Sequence, residues 1–377
     1  MYVHLPWCER KCPYCDFNSH ALRDLLPGDE YIDSLLTDLD TTDELRAGRK
    51  FETVFFGGGT PSLFSERQIG RILNALVERS VLASEAEITL EANPGSAEAA
   101  RFRGYRDCGV NRLSIGVQSF DDESLHHIGR IHDGQQAVHA CEAAHQAGFE
   151  NFNIDLMFGL PAQDQKRARA DVQRAIQLQP THLSLYQLTI EPNTAFAADP
   201  PELPSEETSW QIRCEVQSHA EAAGYRQYEV SGFSKPGLEC RHNLNYWQFG
   251  DYIGIGAGAH SKITRDQAVC RWHRPRHPKD YRAIAARGEA PPISTPLSSD
   301  DLAFEFLLNA LRLKTGFSPA LFRQRTGLDW PIYPDVVAQA VAEDLLFASD
   351  EQVHTTALGW RFLDELLQRF LDPVAAD

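Results

Sequence analysis

The sequence lacks any run of about 20 apolar residues, the length that a membrane-spanning helix needs, although 42% of its 377 residues are hydrophobic. It also lacks, at its start, the basic segment and apolar stretch of a secretory signal. No repeat at the period of a solenoid is present. These absences predict a cytoplasmic globular protein, and the length suggests a large first domain followed by a smaller one.

Positive charge is scarce in this chain. It carries 36 Lys and Arg against 53 Asp and Glu, which gives a formal net charge of −17. Such a charge repels a phosphate backbone and argues against nucleic acid as a partner. A local basic segment, RWHRPRHPK at residues 271–279, is the exception. It is either a solvated loop or an anion site, and the solvated loop is the simpler interpretation.

Cysteine is also sparse, with eight residues in the chain. Five are scattered, at positions 108, 141, 214, 240 and 270. The other three, Cys8, Cys12 and Cys15, lie close together in the segment WCERKCPYCDF. This usage excludes a disulfide scaffold and is typical of a protein of the reducing cytosol with one metal or redox site.

The first part of the chain alternates strand and helix patterns. Strands are predicted at residues 2–5, 51–56, 87–94, 111–120, 151–161 and 182–192, and helices at about 29–45, 65–80, 96–107, 134–148, 164–178 and 205–224. Ser65 and Gln68 have the spacing of a capping box. Six βα units predict an α/β fold with a parallel sheet, because each crossover returns the chain in the same direction. Six units rather than eight indicate a partial (β/α)6 barrel, with its chemistry just after the strands.

The alternation stops after residue 224. Residues 225–290 are expected to be irregular, with aromatic clusters and the glycine-rich GIGAGA, and PPISTPLSSD at 291–300 is expected to be a linker. Helical patterns, a short hairpin and a last helix follow. We therefore predict a barrel at residues 1–224, an extension of the barrel at 225–290, and a small helical, winged-helix-like domain at 291–377.

Three thiolates raise the question of which metal group they hold. They can bind three corners of a 4Fe–4S cluster and leave the fourth iron without a protein ligand, the open position that a catalytic centre needs. The alternative is a zinc site closed by a fourth ligand, for which His4 or His20 is near in sequence. The loop position of the triplet, directly after the first strand of a βα sheet, favours the cluster.

The segment CERKCPYC has the CxxxCxxC spacing of the radical S-adenosylmethionine (SAM) superfamily, which the chain resembles. The resemblance implies a 4Fe–4S cluster on Cys8, Cys12 and Cys15, with the open iron chelated by SAM, and reductive cleavage of SAM to a 5′-deoxyadenosyl radical. It also implies a set of residues that contact SAM, namely Tyr2, Tyr14, Gly58, Gly59, Thr60, Glu91, Gln118, Arg130 and Asp155.

The chemistry of these residues agrees with such a site. Glycines at positions 57–59 would let the backbone approach the ammonium group of SAM, because they carry no Cβ. Glu91 would accept hydrogen bonds from the ribose hydroxyls. Each residue alone would be interpreted as a buried polar group satisfied within the fold. Together, in order after successive strands, they favour a site.

Longer motifs narrow the resemblance to the family of oxygen-independent coproporphyrinogen III oxidases and the related HemW heme chaperones. These motifs are YVHLPWC, CPYCDF, GGGTPS, GVQSF and NIDLMFGLP. The oxidases carry an extra cysteine two residues after the third cluster cysteine, where this chain has Phe17, as in the CPYCDF form of the chaperones. This difference favours the chaperone group.

The segment HNLNYW at residues 242–247 matches the HNxxYW pattern of the chaperones. An imidazole can ligate heme iron, and flat aromatic rings can pack on a macrocycle. We therefore predict heme contacts from His242, Tyr246 and Trp247. The competing iron ligands are His4, His20, His260, His273 and His277.

Three functions remain open at this point. The preferred one is a heme chaperone that binds a 4Fe–4S cluster, SAM and heme as cargo, and delivers heme to respiratory hemoproteins. The alternatives are oxidative decarboxylation of coproporphyrinogen III, against which Phe17 and HNLNYW weigh, and another radical SAM reaction such as methylation. The resemblance further implies a homodimer, and a peripheral position at the membrane during heme delivery.

Overall fold

The structure is a computed structural model that describes residues 1–265, 268–292 and 297–371. In chain order its strands are β1 (Tyr2–Leu5), β2 (Trp7–Cys8), β3 (His20–Ala21), β4 (Phe51–Gly58), β5 (Leu82–Ala92), β6 (Arg112–Gln118), β7 (Phe152–Phe158), β8 (His182–Gln187), β9 (Arg226–Gln227), β10 (Gly232–Ser234), β11 (Gly254–Ile255), β12 (His260–Arg265), β13 (Ala268–His273), β14 (Leu346–Ala348) and β15 (Val353–Thr355).

Its helices are α1 (Gly28–Asp40), α2 (Asp43–Arg46), α3 (Glu66–Glu78), α4 (Ser96–Ala99), α5 (Phe102–Asp107), α6 (Asp122–His127), α7 (Gly134–Gln146), α8 (Gln165–Gln177), α9 (Ala195–Ala198), α10 (Glu206–Ala222), α11 (Arg241–Trp247), α12 (Pro278–Ala285), α13 (Ser299–Ala310), α14 (Pro319–Thr326), α15 (Pro334–Ala342), α16 (Ala357–Arg361) and α17 (Leu363–Leu371). None of these described helices is both long enough and apolar enough to cross a membrane.

The central sheet confirms the predicted parallel α/β fold. Among the described residues, nine strands pair in the order β11-β1-β4-β5-β6-β7-β8-β10-β9. The six predicted strands, β1 and β4 to β8, are neighbours in chain order and run parallel. Their carboxyl ends therefore lie along one edge, where the polar and glycine-rich segments follow.

Local sequence explains where the barrel helices begin. The capping box predicted for α3 is present, since the Ser65 side chain accepts from the backbone of Gln68 and the Gln68 side chain accepts from the backbone of Ser65. Asp133 caps α7 in the same way, and Asp164 and Ser205 cap α8 and α10. Each cap satisfies amides that the first turn of a helix leaves unpaired.

The core forms because the strands are covered on both faces. Strands β6 and β7 are buried along almost their whole length. Their side chains and those of the neighbouring strands join one apolar cluster with the inner faces of the helices, including Val54, Leu90, Ile115 and Ile154. This packing holds the strand ends in fixed positions.

Residues 225–290 were expected to be irregular, and this expectation is wrong for several short segments. Strands β10 and β9 add to the sheet beyond β8 and are antiparallel. Strand β11 adds to the opposite side of the sheet, next to β1. Strands β12 and β13 form a hairpin. Strands of two or three residues carry no periodicity, so their pairing is set by tertiary contacts.

The last part of the chain is helical with one hairpin, as expected. Helices α13 to α17 and the β14–β15 hairpin pack around a second apolar cluster centred on Phe306, Phe317 and Phe322. Helix α13 begins at Ser299, capped by Ser298, so the end of the predicted linker is helical. Residues 293–296 of that linker lie outside the described residues. The division into three parts stays a prediction.

Candidate functional site

The three clustered cysteines lie on a loop at the carboxyl end of β1. The loop is held by parallel pairing of β2 with β3, in which Trp7 faces His20. The Leu22 amide donates to the Cys8 carbonyl at 2.9 Å, and the Cys15 amide donates to the Cys12 carbonyl at 3.2 Å. All three cysteines are free thiols. The loop therefore presents three sulfur donors beside the sheet edge.

Three cysteine thiols are the protein ligands that a 4Fe–4S cluster with one open iron takes. Within the described residues, no three His, Cys, Asp or Glu side chains are arranged to hold one metal ion. A zinc ion would draw its ligands to within about 2.3 Å of one centre, whereas a four-iron cube binds each thiolate at a different corner. His4 is engaged at both ring nitrogens, with the Tyr2 hydroxyl at 3.0 Å and the Asn18 carbonyl at 2.9 Å. It is therefore not a free fourth ligand for zinc.

Burial favours the neutral form of two of the three thiols when no metal is bound. It raises the pKa of Cys8 and of Cys15 above the ordinary range of a thiol. A bound metal group stabilises the thiolate directly. The protein thus offers a desolvated pocket of soft donors that ionise on metal binding.

The glycine turn after β4 packs on the cysteine loop. Gly58 has a φ of 115°, and a Cβ there would approach His4 to 2.5 Å. A Cβ on Gly59 would meet the Trp7 carbonyl oxygen at 2.5 Å, and the next residue, Thr60, donates its amide to that oxygen at 2.7 Å. The sequence predicted these glycines as an approach for a ligand. Within the chain, the missing Cβ atoms leave room for the His4 ring of β1 and for the Trp7 carbonyl.

Glu91 lies near the end of β5 and lines a cavity of about 410 Å³. The Gly58 amide donates to its Oε2 at 3.2 Å. Burial, together with the nearby carboxylate of Asp155, raises the pKa of Glu91 to about 8. The carboxyl group is thus directed into a ligand-sized cavity while only one described donor contacts it.

Asp155, on β7, belongs to a polar network inside the barrel. It accepts from Asn153 Nδ2 at 2.7 Å and from the Ser114 hydroxyl at 3.3 Å. Burial raises its pKa. Asn153 in turn accepts from the Ser184 hydroxyl at 3.1 Å and contacts His182 Nδ1 at 2.7 Å. We did not predict Ser114, Asn153 or His182, although Asn153 precedes Asp155 by two residues and so shares its face of the strand.

Arg130 joins the cysteine loop to the strand ends. Its guanidinium donates to Cys12 Sγ at 3.5 Å, and to Asn93 Oδ1 and the Gly116 carbonyl at 2.7 Å each. Tyr14 hydrogen-bonds Cys12 and lies beside the same guanidinium. The Arg130 Nε has no partner among the described atoms. A buried cation with a spare donor, next to a thiol, suits an anionic group at this position.

Gln118 ends β6 in a left-handed backbone conformation, with a φ of 68°. Its amide nitrogen lies near Gly116, where a Cβ would approach it to 3.1 Å. The same Cβ would lie 3.6 Å from Arg130. Left-handed backbone in a residue other than glycine costs free energy and is concentrated at ligand sites.

The cavity beside Glu91 has an inner wall and an outer rim. The inner wall is made of residues from the sheet edge and of two tyrosines in edge-on contact, namely Tyr2, Gly58, Glu91, Tyr246 and Tyr252. The outer rim is made of residues from the cysteine loop and from the segment that follows β11, namely Phe17, Asn18, His260 and Arg276. Of the predicted SAM residues, Tyr2, Gly58 and Glu91 line this cavity. Of the others, Gly59 and Thr60 follow β4, Gln118 ends β6, Asp155 lies within β7, and Tyr14 and Arg130 lie beside Cys12.

The structure places the three predicted heme contacts of the HNLNYW segment in different surroundings. His242 is only 1% exposed, and its Nδ1 and Nε2 are engaged by the Thr53 and Tyr246 hydroxyls at 2.7 and 3.1 Å. Its ring stacks on Phe55 at 5.0 Å. His242 therefore has no free nitrogen for iron. Trp247 lies under the guanidinium of Arg312 at 4.3 Å, so the segment anchors α11, and of the three residues only Tyr246 lines the cavity.

Two family models match the chain. The Radical SAM superfamily model matches residues 2–174, and the HemN C-terminal domain model matches residues 297–362. The first span contains the cysteine loop and the strands from β1 to β7. The second contains most of the helical end of the chain.

Full-length relatives agree with these matches. The chain is 46% identical to the protein named heme chaperone HemW in Escherichia coli (strain K12), over 98% of this chain and 97% of that protein. It is 34% identical to the heme chaperone HemW of Bacillus subtilis (strain 168), over 98% of each. Among solved structures, the coproporphyrinogen III oxidase HemN of Escherichia coli, described as a radical SAM enzyme, is similar with a TM-score of 0.82 and 25% identity, over 98% of this chain and 89% of that chain.

Proposed function

Because this chain belongs to the HemW family within the radical SAM superfamily, we propose that it is a heme chaperone that binds a 4Fe–4S cluster, SAM and heme. The observation that carries the proposal is the likeness to HemW proteins along the whole chain, at 46% identity, against 25% to the oxidase of the same fold. A fold common to a chaperone and an oxidase does not separate them. The residues around the site have to do so.

Cys8, Cys12 and Cys15 would hold the cluster, and Arg130 would stabilise the thiolate of Cys12, to which its guanidinium already donates. The residues that would hold SAM are Tyr2, Tyr14, Gly58, Gly59, Thr60, Glu91, Gln118, Arg130 and Asp155. When bound, the cluster and SAM supply one-electron reductive chemistry. The contribution of the protein is to exclude water and to orient the bound groups through Arg130 and the carboxyl groups of Glu91 and Asp155.

Phe17 supports the chaperone over the oxidase. Its side chain is 66% exposed at the rim of the cavity, two residues after Cys15. A large apolar ring left in water is informative when it borders a cavity, since it offers a contact face to a flat apolar ligand. A cysteine at this position, as in the oxidases, would offer a polar and reactive group instead.

The second candidate is coproporphyrinogen III oxidation, favoured by the similarity to the HemN structure over 98% of the chain.

We propose further that the acceptors of the heme are respiratory hemoproteins. We also propose that the chaperone is a cytoplasmic homodimer that contacts the membrane only when it delivers heme. These partners are suggested by the family and by the predictions from the sequence.

The test is anaerobic reconstitution with iron and sulfide, followed by heme titration and a coproporphyrinogen assay on one sample. We expect about four iron and four sulfide per chain, stoichiometric heme binding, and no protoporphyrinogen. Replacing Cys8, Cys12 or Cys15 by Ala should abolish the cluster. Cys108→Ala is the control, because this thiol donates to the Tyr105 carbonyl, away from the loop. Zinc without iron–sulfur absorbance, or steady oxidase turnover, would contradict the proposal.

A further inference from the structure

An exposed pair of imidazoles lies on the hairpin next to the cavity rim. His260 and His273 face each other across β12 and β13, with ring centroids 5.5 Å apart. His260 lines the cavity and is exposed, and in the described part of the chain neither of its ring nitrogens has a hydrogen-bond partner. His273 lies outside the cavity lining. A free imidazole at a cavity mouth is able to ligate iron.

Three of the inner histidines are not available in this way. His4, His182 and His242 each have both ring nitrogens engaged by neighbouring groups. Freeing any of them would leave a buried hydroxyl or carbonyl group without its partner, which costs about 1–3 kcal/mol. His260 can turn towards a ligand without breaking any hydrogen bond described for its ring.

An arginine on the same rim supplies a positive charge. Of the cationic segment 271–279, Arg271 pairs with Glu305 and Arg274 pairs with the buried Asp38. Arg276 is exposed, and no carboxylate of the described residues lies within ion-pair distance of its guanidinium. In a chain with a net charge of −17, this site attracts a carboxylate ligand locally.

Arg276 is also tied to the cysteine loop. Asn18 donates to the Arg276 carbonyl and to the Ala257 carbonyl, each at 2.9 Å. Phe17, the neighbour of Asn18, is the exposed ring of the rim. One edge of the cavity thus combines an unpaired imidazole, a guanidinium and an apolar face, on backbone that is joined to the cysteine loop.

We propose that heme docks across this rim, with His260 as the axial ligand of the iron, Arg276 paired with a propionate, and the Phe17 ring against the macrocycle. This inference rests on the proposed heme binding and specifies its site. An iron porphyrin that carries carboxylates matches all three groups at once. Heme at this position would lie beside the SAM residues of the inner wall and would not displace His242 from the core.

The proposal is tested by titrating ferric heme into the full-length reconstituted protein and its variants. The Soret band and electron paramagnetic resonance report the axial ligand. His260→Ala should lose the imidazole signature and weaken heme binding about tenfold or more. Arg276→Gln should weaken binding by about tenfold with the ligand field unchanged. His273→Ala is the matched control, since it removes the facing imidazole of the same hairpin and should keep the wild-type spectrum.

Two results would overturn the inference. One is a His260→Ala variant with the wild-type spectrum and affinity. The other is loss of the imidazole signature in His273→Ala, or in a folded His242→Ala variant, while His260→Ala retains it. If the wild-type protein binds no heme, the proposed function fails, and that outcome is distinct from binding of heme through another ligand.

Discussion

At the scale of single residues, Glu91 carries an unusual charge state. Its pKa is raised from 4.5 to about 8, so between these values the folded chain keeps a proton that the unfolded chain has released. The stability of the protein without ligands should therefore fall as the pH rises through this window. Glu91→Gln should flatten the fall, as measured by chemical denaturation between pH 5 and pH 8. A variant with the wild-type pH profile would show that Glu91 is ionised in the folded chain.

The same residue should matter for SAM. A carboxyl group accepts hydrogen bonds from ribose hydroxyls that an alanine cannot replace. Glu91→Ala should therefore weaken SAM binding by about 1–3 kcal/mol, measured by calorimetry on the reconstituted protein. Unchanged affinity in a folded variant would remove Glu91 from the SAM site.

Gly58 gives a sharper test of how the cysteine loop is held. Its φ of 115° disfavours any side chain, and a Cβ would meet the ring of His4. Gly58→Ala should displace the loop that follows β1 and lower the iron bound on reconstitution. Gly148→Ala is the matched control, because Gly148 has a φ of 84° but no atom lies within 4 Å of the position that its Cβ would take. Equal iron content in the two variants would contradict this role.

Residue types and their order along the chain predicted that several polar residues lie where parallel strands end. Cys8 follows β1 and Glu91 is the penultimate residue of β5, as expected when the carboxyl ends of parallel strands meet on one side of a sheet, whereas Asp155 lies in the middle of β7. The burial of His242 was not predictable from its sequence neighbours. It depends on Thr53 and Phe55 of a strand that is distant in sequence.

At the scale of elements, a hydrogen bond of His242 joins α11 to β4. Its Nδ1 contacts the Thr53 hydroxyl at 2.7 Å, and its amide donates to Glu87 Oε1 on β5 at 3.1 Å. His242→Ala should destabilise the protein by about 2–4 kcal/mol, through a cavity and an unpaired hydroxyl. A double-mutant cycle with Thr53→Val should show a coupling of about 1 kcal/mol. Additive effects of the two substitutions on the free energy of unfolding would show that His242 and Thr53 do not interact.

Element boundaries show what periodicity can and cannot predict. Helices α3, α7, α8 and α10 begin at side-chain caps, so local sequence sufficed for them. The helix predicted at 96–107 is broken into α4 and α5, and the one at 29–45 into α1 and α2. Strands β9 to β11 were missed because two or three residues have no pattern of their own.

At the scale of the whole molecule, the segment after the barrel closes one side of the site. Arg274 pairs with the buried Asp38 of α1, and the Tyr281 hydroxyl donates to the same carboxylate at 2.8 Å. The Tyr31 hydroxyl donates to the His4 carbonyl and accepts from the Ala257 amide, at 3.0 and 2.8 Å. These buried contacts fix the rim relative to the cysteine loop. Because these contacts order the rim before a ligand binds, less conformational entropy is lost on binding.

We propose above all that this chain passes heme on intact. The most direct measurement loads the reconstituted protein with heme, adds the apo form of a b-type respiratory hemoprotein, and follows the acceptor spectrum anaerobically. We predict transfer of heme to the acceptor, with no protoporphyrinogen formed when coproporphyrinogen III is supplied instead. Retention of the heme by the chain, together with turnover of coproporphyrinogen III, would contradict the account.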